Sequence, residues 1–288
     1  MNRTRSLVWV AVAYLVAMAA AWGAWRLLSG QPLWLLVSAA DVAATVAIFG
    51  FSVAFNNSSI YDPYWSIAPM VAAPVLAVVG VAAGGDGARA WLVAALVMTW
   101  GARLTWNWLR SWHGMTQEDW RYINVRKATG RGYWAASFFG LHLMPTVAVL
   151  LGMWPLLPAM TVGRPLGILD GVATLVTLTG ILLEGIADEQ LRSFRRRATT
   201  GQIMEEGLWG RCRHPNYLGE ITFWWGVYLF GLAASPSSWH YTIVGAAYIH
   251  IMFVFITIPM IDKRSLERRP LYGEHMARMS ALLPFGRR

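Results

Sequence analysis

Four short segments of this 288-residue chain gather side chains able to do chemistry. In the first, Glu184, Asp188, Arg192 and Arg195 follow at spacings of four, four and three, which puts them on one face of a helix. Arginine binds phosphate through a planar fork, and carboxylates accept from hydroxyl or amide donors. An acid–arginine ladder therefore suits a ligand with both phosphates and hydroxyls. The adjacent Arg196 and Arg197 read as a basic anchor for lipid head groups. In the second segment, Arg211 to Glu220, Pro215 fits a first helical turn. Arg213, His214, Asn216 and Tyr217 then crowd donors at a helix N-terminus, which favours anions. Glu220 falls one turn further on. Capping needs one such residue, and this stretch offers several.

The third segment, Asn56 to Ser66, separates two apolar runs and holds no basic residue. Pro63 keeps the preceding Asp62 out of the α region. Two readings stay open here. One is a turn with an Asx cap. The other is a catalytic carboxyl among the rings of Tyr61 and Tyr64, surroundings in which an acid keeps and donates a proton. The fourth segment puts Arg103, Asn107 and Arg110 on one helix face. Trp100, Trp106 and Trp108 interleave with them, as in an interfacial belt or a surface that stacks on flat rings. Glu118-Asp-Trp-Arg-Tyr122 follows.

These segments must be positioned by helices in a membrane. The chain is 56% hydrophobic and only 14% charged, against about 25% charged in ordinary soluble domains. That composition excludes a disordered chain, a nucleic-acid-binding tail and a typical soluble enzyme domain. With one cysteine, Cys212, no intramolecular disulfide forms, and the six scattered histidines match no metal motif. Runs free of Asp, Glu, Lys and Arg predict an all-α, polytopic integral membrane bundle of about eight helices, within seven to nine. The expected spans are 7–27, 33–55, 66–83, 90–109, 134–157, 166–187, 218–234 and 240–261. Ser235-Pro236-Ser237-Ser238 supplies the turn between the last two. The first run is too long for a signal-peptide core of about 7–15 residues and reads as a retained helix. Eight spans put both termini on one side, with 20 of the 24 basic residues. The positive-inside rule makes that side cytoplasmic. Gly163, Gly167 and Gly171 suggest a packing contact. Asp41 and Asp170, inside expected spans, read as caps or packing polar groups.

Taken together, Asp62-Pro-Tyr-Trp-Ser66, Trp100-x-x-Arg103-Leu, Glu118-Asp-Trp-Arg-Tyr122, Ala187-Asp-Glu-Gln190 and Arg213-His-Pro-Asn-Tyr-Leu-Gly-Glu220 resemble the steroid 5α-reductase superfamily, its bacterial branch above all. The resemblance covers about residues 50–288. It implies N-terminal transmembrane helices over 1–55, a reductase-like membrane domain over 56–288, and an NADPH site open to the cytosol of a bacterial inner-membrane protein. It assigns cofactor contacts to Asn216, Glu220, Asp188, Arg195 and Arg103, with Tyr272 and His275 as C-terminal candidates. In place of the catalytic Glu of the animal enzymes this chain offers Asp62. Trp100 stands where they have a catalytic Tyr, and Glu184 where they have an Asn.

The expectation is an NADPH-dependent reductase of a carbon–carbon double bond conjugated to a carbonyl in a lipophilic steroid-, sterol- or polyprenyl-like substrate. Asp62, with Tyr61 or Tyr64, polarises the carbonyl oxygen. Arg103, Arg110, Arg192, Arg195 and Arg213 meet the phosphates, with Glu184, Asp188, His214, Asn216, Tyr217, Glu220 and Tyr272 around the rest of the cofactor. The alternative is a membrane S-adenosylmethionine-dependent methyltransferase, since Arg213-His-Pro-x-Tyr217 also resembles the isoprenylcysteine and phospholipid enzymes. A non-enzymatic lipid-binding protein is the third reading, and it leaves Glu184, Asp188 and Glu220 without a purpose. The expected partners are the bilayer and a lipophilic small molecule, with no nucleic acid.

Overall fold

A computed structural model describes residues 2–283. Arg287 and Arg288 of the basic tail lie outside the described residues. Among the described residues every regular element is helical. The chain forms two compact units, Met1–Gly163 and Arg164–Arg288. Within the first unit, the helix Leu33–Ala54 packs on the link that follows it and on the later helices of the unit.

In unit 1, α1 (Arg3–Leu27) packs along α2 (Leu33–Ala54), and α3 (Tyr64–Ala82) along α4 (Gly87–Ser111). Next come α5 (Trp120–Thr129), the short α6 (Tyr133–Ala136), a π-helical turn Ser137–Leu143, α7 (Met144–Met153) and α8 (Leu156–Thr161). The buried center of the unit is aromatic and aliphatic, with Tyr14, Ile48, Ile60, Tyr61, Tyr64 and Trp112 in one cluster. In unit 2, α9 (Ile168–Arg197) lies along α10 (Pro215–Ala234). After the expected break at Ser235–Ser238 come α11 (Trp239–Met252), a π-helical turn Phe253–Thr257, α12 (Ile258–Arg268) and α13 (Tyr272–Arg278).

Each expected span falls on helical segments, but six segments among the described residues are long and apolar enough to cross a membrane. They are Arg3–Leu27, Leu33–Ala54, Ser58–Ala82, Trp120–Thr161, Ile168–Arg197 and Pro236–Arg268. The expected spans over α4 and α10 are not among them. Arg89, Arg103 and Arg110 on α4, and Asn216 and Glu220 on α10, lower the apolarity of those helices. Large apolar side chains also face outward in stripes. On α9 these are Ile168, Val172, Leu175, Leu178, Leu182 and Ile186, at spacings of four, three, three, four and four. So long an exposed apolar stripe belongs in lipid rather than water. The chain is a membrane protein of helical class.

Glycine sets how closely α9 and α10 approach. A Cβ on Gly180 would lie 2.5 Å from the Phe223 nitrogen, and one on Gly226 would lie 2.2 Å from Thr177 Oγ1. Only a bare backbone fits there. The expected contact through Gly167 and Gly171 does not form, since both face open space. Asp170 instead caps α9, accepting from the Gly167 N–H at 2.8 Å. Asp41 is no cap: it sits inside α2, buried, and accepts the Tyr64 hydroxyl at 2.6 Å.

Candidate functional site

The catalytic candidates lie in unit 1, in the link between α2 and α3. Asn56 turns the chain with φ +51°, a left-handed conformation that asparagine tolerates. Asn57 then fastens a second loop to this one. Its amide donates to the carbonyls of Met115 (2.8 Å) and Gln117 (3.0 Å), while its Oδ1 accepts from the Ser59 N–H (2.8 Å). The Ser58 N–H donates to Glu118 Oε1 at 2.9 Å, and the Asp119 N–H donates to Ser59 Oγ at 2.8 Å. Asp119 caps α5 through the Arg121 N–H at 2.9 Å. This stitching fixes the start of α5 over the link and brings the Tyr122 hydroxyl to Asp62 Oδ1 at 2.5 Å.

The result is a carboxyl–phenol pair with Tyr122 buried. Tyr61 and Tyr64 stack on each other at 5.1 Å between ring centers, but their hydroxyls turn elsewhere. Tyr61 Oη pairs with Thr146 Oγ1 at 2.8 Å, and Tyr64 donates to Asp41. Tyr122 is therefore the phenol that meets the acid. The sequence signal for it was its place in Glu118-Asp-Trp-Arg-Tyr122, which carries no role by spacing. Trp100 is wholly buried on α4. Further along that helix, Arg103 is half-buried and Arg110 donates to Asn107 at 2.5 Å, as their shared face requires.

The cofactor candidates of unit 2 divide into three groups. Glu184 is buried on the face of α9 that meets α10, where a Cβ on Gly219 would stand 2.6 Å from the Glu184 nitrogen. Glu220 is also buried and accepts the Trp224 indole N–H at 2.8 Å. Beyond Glu184, α9 continues unbroken through half-buried Asp188 and Arg192 to exposed Arg195. Nearby, the Trp209 indole N–H donates to the Ala187 carbonyl at 2.9 Å, and Gln190 Oε1 accepts from the Leu208 N–H at 2.9 Å. These contacts hold the loop after α9 against the helix.

The third group converges on Asp262. Arg213 Nη2 donates to its Oδ2 at 2.8 Å. His214 Nε2 (2.9 Å) and the Tyr272 hydroxyl (2.7 Å) meet its Oδ1. Arg213 also donates to the carbonyls of Met276 and Met279. The Arg213 and His214 N–H groups pair with the Ser280 and Ala281 carbonyls, both at 3.0 Å. Arg213 and His214 thus clamp the C-terminal segment onto the start of α10. Burial and the Asp262 carboxylate push the Tyr272 phenol up, so it stays a donor. His275 pairs instead with Glu205, Nδ1 to Oε1 at 2.8 Å. Tyr217 stacks on His214 at 5.3 Å. Asn216 Oδ1 is buried and meets no hydrogen-bond donor. Burial raises the Cys212 thiol, so it is no ready nucleophile. Among the described residues no group of three or more His, Cys, Asp or Glu is placed to hold a metal. Asp262 was missed in the sequence because a lone acid beside Lys263 shows nothing of Arg213 and His214, 49 and 48 residues before it.

Comparison with known proteins agrees with the extent of this architecture. The chain is 27% identical over 261 residues to an uncharacterized protein of Schizosaccharomyces pombe, covering 82% of this chain and 75% of that one. No solved structure matches it. A family model described as protein of unknown function DUF1295 matches residues 48–279, which include the α2–α3 link, the α9–α10 pair and the Asp262 hub. The chain belongs to the DUF1295 family.

Proposed function

We propose that this protein is an NADPH-dependent membrane reductase of a carbon–carbon double bond conjugated to a carbonyl in a lipophilic substrate. The observation that carries the reading is the Asp62–Tyr122 pair, a carboxyl met by a phenol at 2.5 Å next to a cluster of buried aromatic rings. Such a pair holds a proton at a fixed oxygen and presents it to a developing enolate. The resemblance to the steroid 5α-reductase superfamily supports the same assignment, with Tyr122 supplying a phenol that Trp100 cannot.

The residues of unit 2 fit a dinucleotide in part. Asn216 Oδ1 is a buried acceptor in want of a donor, which an amide or ribose hydroxyl offers. Arg192 and Arg195 extend past Asp188 on the exposed end of α9 and suit phosphates. Arg213 and His214 serve as clamps through Asp262 rather than as phosphate ligands. NADPH, when bound, supplies the hydride. The chain's own residues orient the substrate oxygen and deliver the proton.

The test is NADPH oxidation by protein in nanodiscs, with 3-oxo-Δ4 steroids and polyprenyl enones as substrates. Asp62→Asn is expected to cut turnover by about 10²–10⁴-fold, the usual contribution of a positioned acid, with cofactor affinity unchanged. Full turnover in Asp62→Asn, or methyl transfer from S-adenosylmethionine without NADPH oxidation, overturns the reading.

A further inference from the structure

His142 takes no part in the reading above. It is fully buried in the π-helical turn Ser137–Leu143. The widened turn brings Ser137 and His142, five residues apart, against each other. His142 Nδ1 lies 3.0 Å from the Ser137 carbonyl oxygen and 3.4 Å from its Oγ. Such turns are rare and gather at functional sites. From Ser137 a chain of hydroxyls leads outward. Ser137 Oγ is 3.0 Å from Ser58 Oγ, which is 2.7 Å from Tyr133 Oη, which is 3.4 Å from Glu118 Oε1. Ser58 and Ser137 are fully buried and Tyr133 nearly so. The Glu118 side chain is 15% exposed, in the loop before α5.

Every link between the two ends is a hydroxyl, which both donates and accepts. Two hydrogen arrangements run along the chain. In one, Glu118 is protonated, the hydroxyls point inward, and neutral His142 accepts from Ser137 Oγ at Nδ1 while its Nε2–H donates to Ser52 Oγ at 3.1 Å. In the other, Glu118 is a carboxylate, the hydroxyls point outward, and His142 is an imidazolium whose Nδ1–H also faces the Ser137 carbonyl at 3.0 Å. Passing from the first to the second moves one proton from Glu118 to His142. The Nε2–H keeps its bond to Ser52, whose own hydrogen goes to the Ile48 carbonyl at 3.1 Å. The groups facing the path are Arg126, over the Tyr133 ring at 3.7 Å and 3.2 Å from Glu118, and Tyr61, whose ring lies 4.7 Å from His142.

We propose that Glu118, Tyr133, Ser58, Ser137 and His142 form a proton relay between the surface loop and the buried interior of unit 1. Its purpose rests on the reductase reading, which consumes one proton with each hydride added to a double bond. An interior that excludes water needs a route for that proton. Its test does not depend on turnover.

Protein labeled with ¹⁵N-histidine is placed in nanodiscs, the His142 resonance is identified with His142→Asn, and exchange of its ring N–H is followed after transfer to D2O. The relay predicts ready exchange in the wild type, slowed about tenfold or more in Tyr133→Phe and in Ser137→Ala, where only opening of the fold remains as a route. Tyr133→Phe keeps the ring packed on Trp134 and Arg126, and Ser137→Ala breaks the path at a second point. Exchange as slow in the wild type as in the variants overturns the relay, as do variants that exchange as fast as the wild type. NADPH stabilization of the same samples reports on the reductase reading separately, so either idea can fail without the other.

Discussion

Unit 1 and unit 2 both bury polar groups, and they do so by different chemistry. The interior of unit 1 joins neutral hydroxyls to one another and to single acids: Thr45–Thr146–Tyr61, Tyr64–Asp41, Tyr122–Asp62, and the path from Glu118 to His142. Unit 2 gathers a guanidinium, an imidazole and a phenol on the one carboxylate of Asp262. Hydroxyl networks can shift their protons without breaking a contact. A carboxylate that accepts from three donors fixes geometry, because removing it takes the shared acceptor from all three at once. On the proposed reading, the difference suits unit 1 to proton handling and unit 2 to holding a shaped, charged surface.

The comparison breaks most visibly at Asp262. Asp262→Ala is expected to cost about 3–5 kcal/mol, since it leaves the Arg213 cation without its counter-charge and removes the carboxylate acceptor from His214 and Tyr272. Denaturant unfolding in detergent measures the loss, and protease cleavage after α13 should rise with it. A loss under 1 kcal/mol would mean that the hub does not hold the C-terminal segment. Next comes the seam between α9 and α10. Gly226→Val must displace Thr177 and should cost about 1–3 kcal/mol or more, whereas Gly171→Ala, facing open space, should be near neutral. In unit 1, Tyr122→Phe removes the donor from Asp62, with an expected cost of about 1–3 kcal/mol and a loss of turnover well beyond that of Tyr61→Phe. The smallest effect belongs to the Arg197–Glu206 pair, both more than half exposed. Glu206→Gln should change stability by less than about 0.5 kcal/mol.

The helices were legible in the sequence where the physics is local. Uncharged runs located them, Ser235–Ser238 marked the turn before α11, and the spacing of Glu184, Asp188, Arg192 and Arg195 foretold that α9 continues past the apolar run. Asp170 as a cap was legible for the same reason. What depends on distant partners was not. Spacing placed Asp62 among Tyr61 and Tyr64, but only the stitching by Asn57, Ser58 and Ser59 brings Tyr122 to it. The π-helical turn that pairs Ser137 with His142 leaves no periodic mark. Of the regular series Gly163, Gly167 and Gly171, only Gly163 is closely approached, by the Gly84 carbonyl, and the α9–α10 seam runs instead through Gly180, Gly219 and Gly226, because a seam is set by what lies opposite it.

The most direct test of the account is the thermal stability of the purified protein in mild detergent with NADPH, NADH and S-adenosylmethionine in turn, alongside Asn216→Ala and Arg195→Ala. A ligand that binds only the folded state adds about 2.7 kcal/mol at one hundred times its dissociation constant. The account predicts stabilization by NADPH, lost in both variants. Stabilization by S-adenosylmethionine with none by NADPH would contradict it.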